Sequence, residues 1–260
     1  MKKLIMLILV LSVVLSGCSL FVKEEDSKAY EDLKNYYHQY VNFDIALAER
    51  FHEYLNNLTL YVNKSSVRIR VETVTSEDSV VINTSGSGVV FHETNEHYYV
   101  LSSKALFQNS NQVFKYQIID YAGNTYSGTL FHFSETLGMI RINKDPSKLL
   151  PSIKIAKFAP FINEPIVLLS YRKQIVNSVT LGLVDHQSDN EIHHLYTNIS
   201  SDRFANGGAI INMASELVGI QFMLVEGVSV AYDLTEIHAY QRSFMNFLDE
   251  QEALEIHVVS

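Results

Sequence analysis

Residues 202–212 read Asp202-Arg203-Phe204-Ala205-Asn206-Gly207-Gly208-Ala209-Ile210-Ile211-Asn212, so that two adjacent glycines introduce a short apolar run. This stretch decides the fold because about a dozen similar runs recur along the chain, and turn-forming residues separate most of them. Short apolar runs bounded by glycine, asparagine and serine are typical of the strands of a β-sandwich or β-barrel. The sequence therefore predicts an all-β fold.

The predicted strands can be placed along the chain from the apolar pattern. The first is indicated by strict alternation, in which Val67, Ile69 and Val71 are separated by charged residues. The others are predicted at residues 80–82, 89–91, 98–101, 113–119, 126–133, 139–142, 166–169, 179–184, 192–196, 210–213, 217–224 and 228–232. Turns are predicted at 83–86 and 121–124. Prolines cluster in residues 144–165, which predicts a joint between two halves.

Two segments have helical spacing instead. The apolar residues of 30–58, which begin with Tyr30 and end with Leu58, recur every three or four positions and are largely aromatic. This helical segment either packs on its own domain or forms a seam between copies in a homo-oligomer. Near the end of the chain, Asp233 and Glu236 form a predicted capping box before a second amphipathic helix.

The N-terminus resembles a secretion signal. Two lysines, an apolar run and the residues Leu15-Ser16-Gly17-Cys18 resemble a bacterial lipoprotein signal, which implies cleavage before Cys18 and lipidation of that residue. The alternative is an uncleaved anchor with an incidental cysteine. The prediction is a lipid-anchored, extracytoplasmic bacterial protein. Its parts are a signal peptide (1–17), a tether with the helical segment (18–64), a β-domain (65–250) and a C-terminal tail (251–260).

Charge narrows the range of partners. The formal net charge is -9, from 29 acidic and 20 basic residues. Nucleic-acid binding requires a cationic face that neutralises phosphates, so this acidic balance argues against a nucleic-acid partner.

Several segments, taken in chain order, resemble the bacterial HtrA/Deg branch of the trypsin-like serine proteases. Residues 85–90 (Ser-Gly-Ser-Gly-Val-Val) resemble the family's Gly-Ser-Gly-Val-Ile at the start of the first barrel. Residues 179–184 resemble a Val-Thr-Ser-Gly-Ile-Val strand of the second barrel, and residues 217–220 and 228–232 resemble its closing strands. The resemblance implies a trypsin-like double β-barrel, flanked here by an N-terminal helical segment and a C-terminal helix.

The same resemblance marks the positions of the catalytic triad. In residues 99–106, Ala105 occupies the place of the family's histidine, and in residues 136–142, Thr136 occupies that of the aspartate. In residues 202–212, Asn206 occupies the place of the nucleophilic serine. Phe204 replaces a glycine, so Phe204 and Asn206 mark the oxyanion-hole position. Alanine, threonine and asparagine cannot act as base, charged orienting group and nucleophile, which predicts a degenerate site.

The resemblance therefore implies a membrane-anchored pseudoprotease that binds peptides or proteins, or acts as a scaffold, with no catalytic residue, cofactor or metal. Two alternatives stay open: an active serine-type endopeptidase of the cell envelope that uses other residues, and an oligomerising surface module. Ser103 and Lys104 could form a Ser–Lys dyad, but neighbours on a strand point to opposite faces. The pair His193-His194 lacks further metal-ligating neighbours, so we interpret these histidines as packed or solvated.

Overall fold

The computed structural model describes residues 61–74, 80–107, 114–172, 175–188 and 192–259. The predictions for the signal peptide, Cys18 and the helical segment of residues 30–58 lie outside this range. Among the described residues, no helix combines the length and apolar character that crossing a membrane needs.

The first half of the described chain is a closed antiparallel barrel of six strands in the order β1-β2-β3-β6-β5-β4. The strands are β1 (Ser66–Val74), β2 (Val80–Glu93), β3 (His97–Ser103), β4 (Phe114–Ile119), β5 (Thr125–Phe133) and β6 (Leu137–Asn143). The alternation in β1 sends Val67, Ile69 and Val71 into the core, where each is fully buried. Strand β1 pairs with both β2 and β4, and this double pairing closes the barrel.

The second half is another six-stranded barrel with one short strand added. Its strands are β7 (Lys154–Ile155), β8 (Pro165–Arg172), β9 (Ile175–Ser188), β10 (His194–Ser200), β11 (Ala209–Asn212), β12 (Glu216–Val225) and β13 (Val228–Tyr232). They are ordered β11-β8-β9-β10-β13-β12-β7, and pairing of β11 with β12 closes the barrel. The predicted all-β, trypsin-like double barrel is confirmed.

The predicted strand pattern needs two corrections, one at a predicted turn and one at a strand that was missed. The turn predicted at residues 83–86 is wrong, because these residues lie within β2. The pairing with β1 shifts register at Asn83, and beyond it Ser85 pairs with Arg70 and Gly86 with Ile69. Small polar residues suit this strand because an added Cβ at Gly86 would lie 2.6 Å from the Asn206 carbonyl oxygen. Strand β7 was not predicted, since two residues are too few to show a period.

The C-terminal helix α1 (Leu234–Val259) leaves the second barrel. Asp233 caps it as predicted, since its Oδ1 accepts hydrogen bonds from the backbone N–H groups of Thr235 (2.8 Å) and Glu236 (3.2 Å). The reciprocal bond of a capping box is absent between these two described residues, because the Glu236 carboxylate accepts from His193 N and Thr136 Oγ1 instead. The helix also continues past residue 250, where we expected a tail.

Helix α1 packs back onto the first barrel through aromatic rings. Phe244 meets Tyr99 of β3 with ring centroids 5.2 Å apart, and Phe247 stacks on His132 of β5 at 5.1 Å. The hydroxyl of Tyr240 donates to the His132 carbonyl at 3.0 Å. Because α1 follows the last strand of the second barrel, these contacts join the two barrels at a place remote in sequence.

Candidate active site

Two short 3-10 helices position the residues at the histidine and serine positions. The helix Lys104–Leu106 follows β3 and contains Ala105, whose backbone N–H donates to Ser103 Oγ at 3.3 Å. The helix Arg203–Ala205 precedes β11 and leads directly into Asn206. Each helix belongs to a different barrel, so the two positions meet only when both barrels are folded.

They meet at a pocket with a volume of about 420 Å³. The first barrel contributes Arg68, Thr84, Ser85, Ala105 and Leu106 to its lining, and the second contributes Arg203, Phe204 and Asn206. This lining contains two hydroxyl groups but no histidine, lysine or carboxylate that could act as a general base. Phe204 forms part of the wall and leaves the pocket open.

Thr136 contacts the 3-10 helix that contains Ala105. Its carbonyl oxygen accepts a hydrogen bond of 2.9 Å from the backbone N–H of Lys104, the residue before Ala105. The Thr136 side chain is 5% exposed, and its Oγ1 donates to Glu236 Oε2 of helix α1 at 3.3 Å. The position of the family's aspartate therefore holds a neutral hydroxyl that is tied to α1. Sequence reasoning assigned Glu236 only to a helix cap and missed this contact.

The two backbone N–H groups at the oxyanion-hole position are both used within their own loop. The N–H of Phe204 donates to Asp202 Oδ1 at 2.9 Å, and the N–H of Asn206 donates to the Arg203 carbonyl at 3.4 Å. An oxyanion hole needs such donors free and aimed at the developing negative charge. In the arrangement described here, neither donor is free for that task.

Ser87 of β2 fastens this loop to the first barrel. Its hydroxyl donates to the Phe204 carbonyl at 3.0 Å and accepts from the backbone N–H of Tyr171 at 2.8 Å. Its backbone N–H donates to the Asn206 carbonyl at 2.7 Å, and its carbonyl accepts from Ser102 Oγ at 2.7 Å. Ser87 falls within the Ser-Gly-Ser-Gly segment noted from the sequence, but its role as the link between barrels was not predicted.

Gly207 lies close against the first barrel. Its φ is +83°, and an added Cβ would lie 1.9 Å from Ser102 Oγ and 2.1 Å from the Ser87 carbonyl oxygen. Only glycine accommodates both the left-handed backbone and this contact distance. The side chain of the preceding Asn206 has a buried Oδ1 with no hydrogen-bond partner in the described structure.

The other candidate side chains have local partners. Lys104 Nζ forms an ion pair with Glu135 at 3.1 Å, while the fully buried Ser103 bonds the backbone of Ala105, so the two do not form a dyad. The ring of His194 packs on Phe222 with centroids 5.0 Å apart. Within the described ranges, no group of three or more metal-ligating side chains comes together.

Comparison with known proteins agrees with the fold. No protein-family model matches the chain. Over 162 residues the chain is 24% identical to the serine endoprotease DegS of Haemophilus influenzae, a match that covers 59% of this chain and 45% of that relative. The chain thus matches less than half of the relative's length. The double barrel and this distant similarity together fit a trypsin-like scaffold of the HtrA type.

Proposed function

We propose that this protein is a pseudoprotease, in which a trypsin-like pocket binds extended peptide or protein segments without cutting them. The observation that supports this most directly is the composition of the pocket, where Ala105 and Asn206 meet and no lining side chain can act as a general base. The hypothesis of an active enzyme that uses other residues has less support, because Ser103 and Lys104 are engaged in separate local contacts.

The chemical consequence is large. A serine protease needs a nucleophile, a base that accepts its proton, and a charged group that orients the base. Loss of the nucleophile or the base alone lowers the rate by about six powers of ten, and further losses add little. The engaged N–H groups of Phe204 and Asn206 remove a separate source of rate, since one oxyanion-hole donor contributes about 100- to 1000-fold.

Binding does not require the lost groups. An extended peptide can associate through its backbone N–H and C=O groups, which pair with a strand edge, while side chains enter pockets. The pocket between the barrels remains open at about 420 Å³ and is lined by residues of both. We further propose that lipidation at Cys18 holds this domain at the outer face of a bacterial membrane, as the Leu-Ser-Gly-Cys segment indicates.

The first test is for hydrolysis and covalent labelling. The full-length chain, purified in detergent, is incubated with fluorescently labelled casein and, separately, with a serine-reactive fluorophosphonate. We expect neither cleavage nor labelling of the folded protein. Labelling at a single serine, together with casein cleavage that the same reagent abolishes, would establish an active enzyme and overturn the proposal.

The second test restores the missing groups. The triple variant Ala105→His/Thr136→Asp/Asn206→Ser supplies the triad groups, but its hydrolysis should stay about 100- to 1000-fold below that of a complete site, because the Phe204 N–H still donates to Asp202. Adding Phe204→Gly frees this loop to turn its N–H towards the pocket, and we expect at least about 100-fold more hydrolysis than in the triple variant. Equal hydrolysis by the two variants would show that the loop is not the obstacle.

A further inference from the structure

Two arginine residues line the pocket at Asn206. Arg68 extends from β1 of the first barrel, and Arg203 belongs to the 3-10 helix before β11 of the second. The chain has a formal net charge of -9, so two cations with no lining carboxylate stand out against an acidic protein. Such a local reversal of sign favours an anionic ligand.

Arg68 is held in place by a serine of the neighbouring strand. Its Nε donates to Ser85 Oγ at 3.0 Å, which fixes the plane of the guanidinium and, within the described residues, leaves its two terminal nitrogens for another acceptor. Burial and the neighbouring charge of Arg70 lower the pKa of Arg68. Among the described residues, no carboxylate lies within ion-pair distance of Arg68.

Arg203 approaches from the opposite barrel. Its guanidinium lies over the ring of Phe204, 5.1 Å from the ring centroid, and the residue is exposed. Within the described part of the chain it too has no carboxylate partner. The two arginines therefore line the same pocket as Asn206, one from each barrel.

We propose that this pocket binds a carboxylate of an acidic peptide segment, held between Arg68 and Arg203. The guanidinium fork matches a carboxylate in two parallel hydrogen bonds, and charge assistance makes these bonds stronger than neutral ones. This proposal rests on the proposed function, since it names the peptide chemistry that the degenerate pocket would select. The pocket beside Asn206 would then hold an acidic side chain of the peptide.

Two end-capped, fluorescein-labelled peptides of equal length test the proposal, one alternating valine with glutamate and the other valine with glutamine. Fluorescence anisotropy with the full-length chain should give at least tenfold tighter binding of the glutamate peptide. Arg68→Gln should weaken this binding about ten- to a hundredfold. Arg203→Gln should weaken it about two- to fivefold, because that side chain is more exposed.

Arg70→Gln is the matched control, because it removes the same charge from the same strand. Arg70 donates to Gln117 Oε1 at 3.1 Å and does not line the pocket, so only its charge acts there and we expect about a two- to threefold change, well below that of Arg68→Gln. Urea unfolding of each variant confirms that it remains folded.

The possible results separate this proposal from the broader one. Equal binding of both peptides, unchanged in the Arg68 variant, would overturn carboxylate recognition while leaving peptide binding intact. Equal weakening by Arg70→Gln and Arg68→Gln would overturn the assignment of the site and indicate a general charge effect. If neither peptide binds at a concentration of about 1 mM, which corresponds to a binding free energy of about -4 kcal/mol, both proposals are overturned.

Discussion

Replacement of Gly207 by alanine tests whether close backbone contact between the barrels fixes the loop that contains Asn206. The added Cβ would lie 1.9 Å from Ser102 Oγ and 2.1 Å from the Ser87 carbonyl oxygen, at a φ of +83°. Gly227 provides a matched control, because it has the same φ of +83° but no atom lies within 4 Å of its added Cβ.

The two substitutions share one energetic cost and differ in the other. A left-handed backbone costs a residue other than glycine about 1–2 kcal/mol, and this applies to both positions. Overpacking against fixed neighbours costs about 1–3 kcal/mol more, and this second cost applies only to Gly207. We therefore expect Gly227→Ala to lower the free energy of unfolding by about 1–2 kcal/mol and Gly207→Ala by about 2–5 kcal/mol.

Urea unfolding of the full-length chain, followed by circular dichroism, measures both values. Adding Ser102→Ala removes the nearer of the two clashing atoms but leaves the Ser87 carbonyl in place, so the double variant should recover only part of the loss. If Gly207→Ala costs no more than Gly227→Ala, the loop is free to move away from the first barrel, and the reasoning about its anchorage is refuted.

Three further outcomes are expected. Asp233→Ala should cost about 1 kcal/mol of stability through loss of the helix cap, while Asp249→Ala on the exposed part of α1 should cost less than about 0.5 kcal/mol. Ser87→Ala should lower the free energy of unfolding by about 1–3 kcal/mol for each of the two backbone groups that it leaves unpaired. Ser85→Ala should lower it less, and thermal unfolding of both variants measures the difference. Burial lowers the pKa of His132. Below about pH 6.5 the unfolded state therefore binds more protons than the folded state, and the free energy of unfolding decreases as the pH falls. His132→Phe should lessen this fall between pH 7 and 5 in urea titrations, and an unchanged slope would contradict the burial argument.

Local patterns were sufficient for most of the fold. Alternation and turn residues located strands such as β1 because inward and outward side chains repeat every second residue. They failed at residues 83–86, where a small, polar segment with turn character is held extended by pairing with β1 and by the nearby Asn206 loop. A tertiary contact decided the conformation there, and no local rule contains it.

The site was only partly predictable for the same reason. The resemblance identified Ala105, Thr136 and Asn206 one by one, because each belongs to a recognisable segment. It did not identify Ser87, whose importance comes from partners on the other barrel, such as the bond between Ser87 Oγ and Phe204 O across 117 positions of sequence. Nor did it identify Arg68, which lines a pocket together with residues of the other barrel. Contacts of this kind depend on how the barrels meet, which periodicity does not encode.

The seam made by Ser87, Ser102 and Gly207 has an evolutionary consequence. Ser87, Ser102 and Gly207 hold the two barrels together. Ala105, in contrast, is exposed. A substitution at an exposed wall position such as Ala105 therefore costs little stability, while the residues behind it remain constrained. A scaffold divided in this way can lose its chemistry and still offer its cleft to selection for a new ligand.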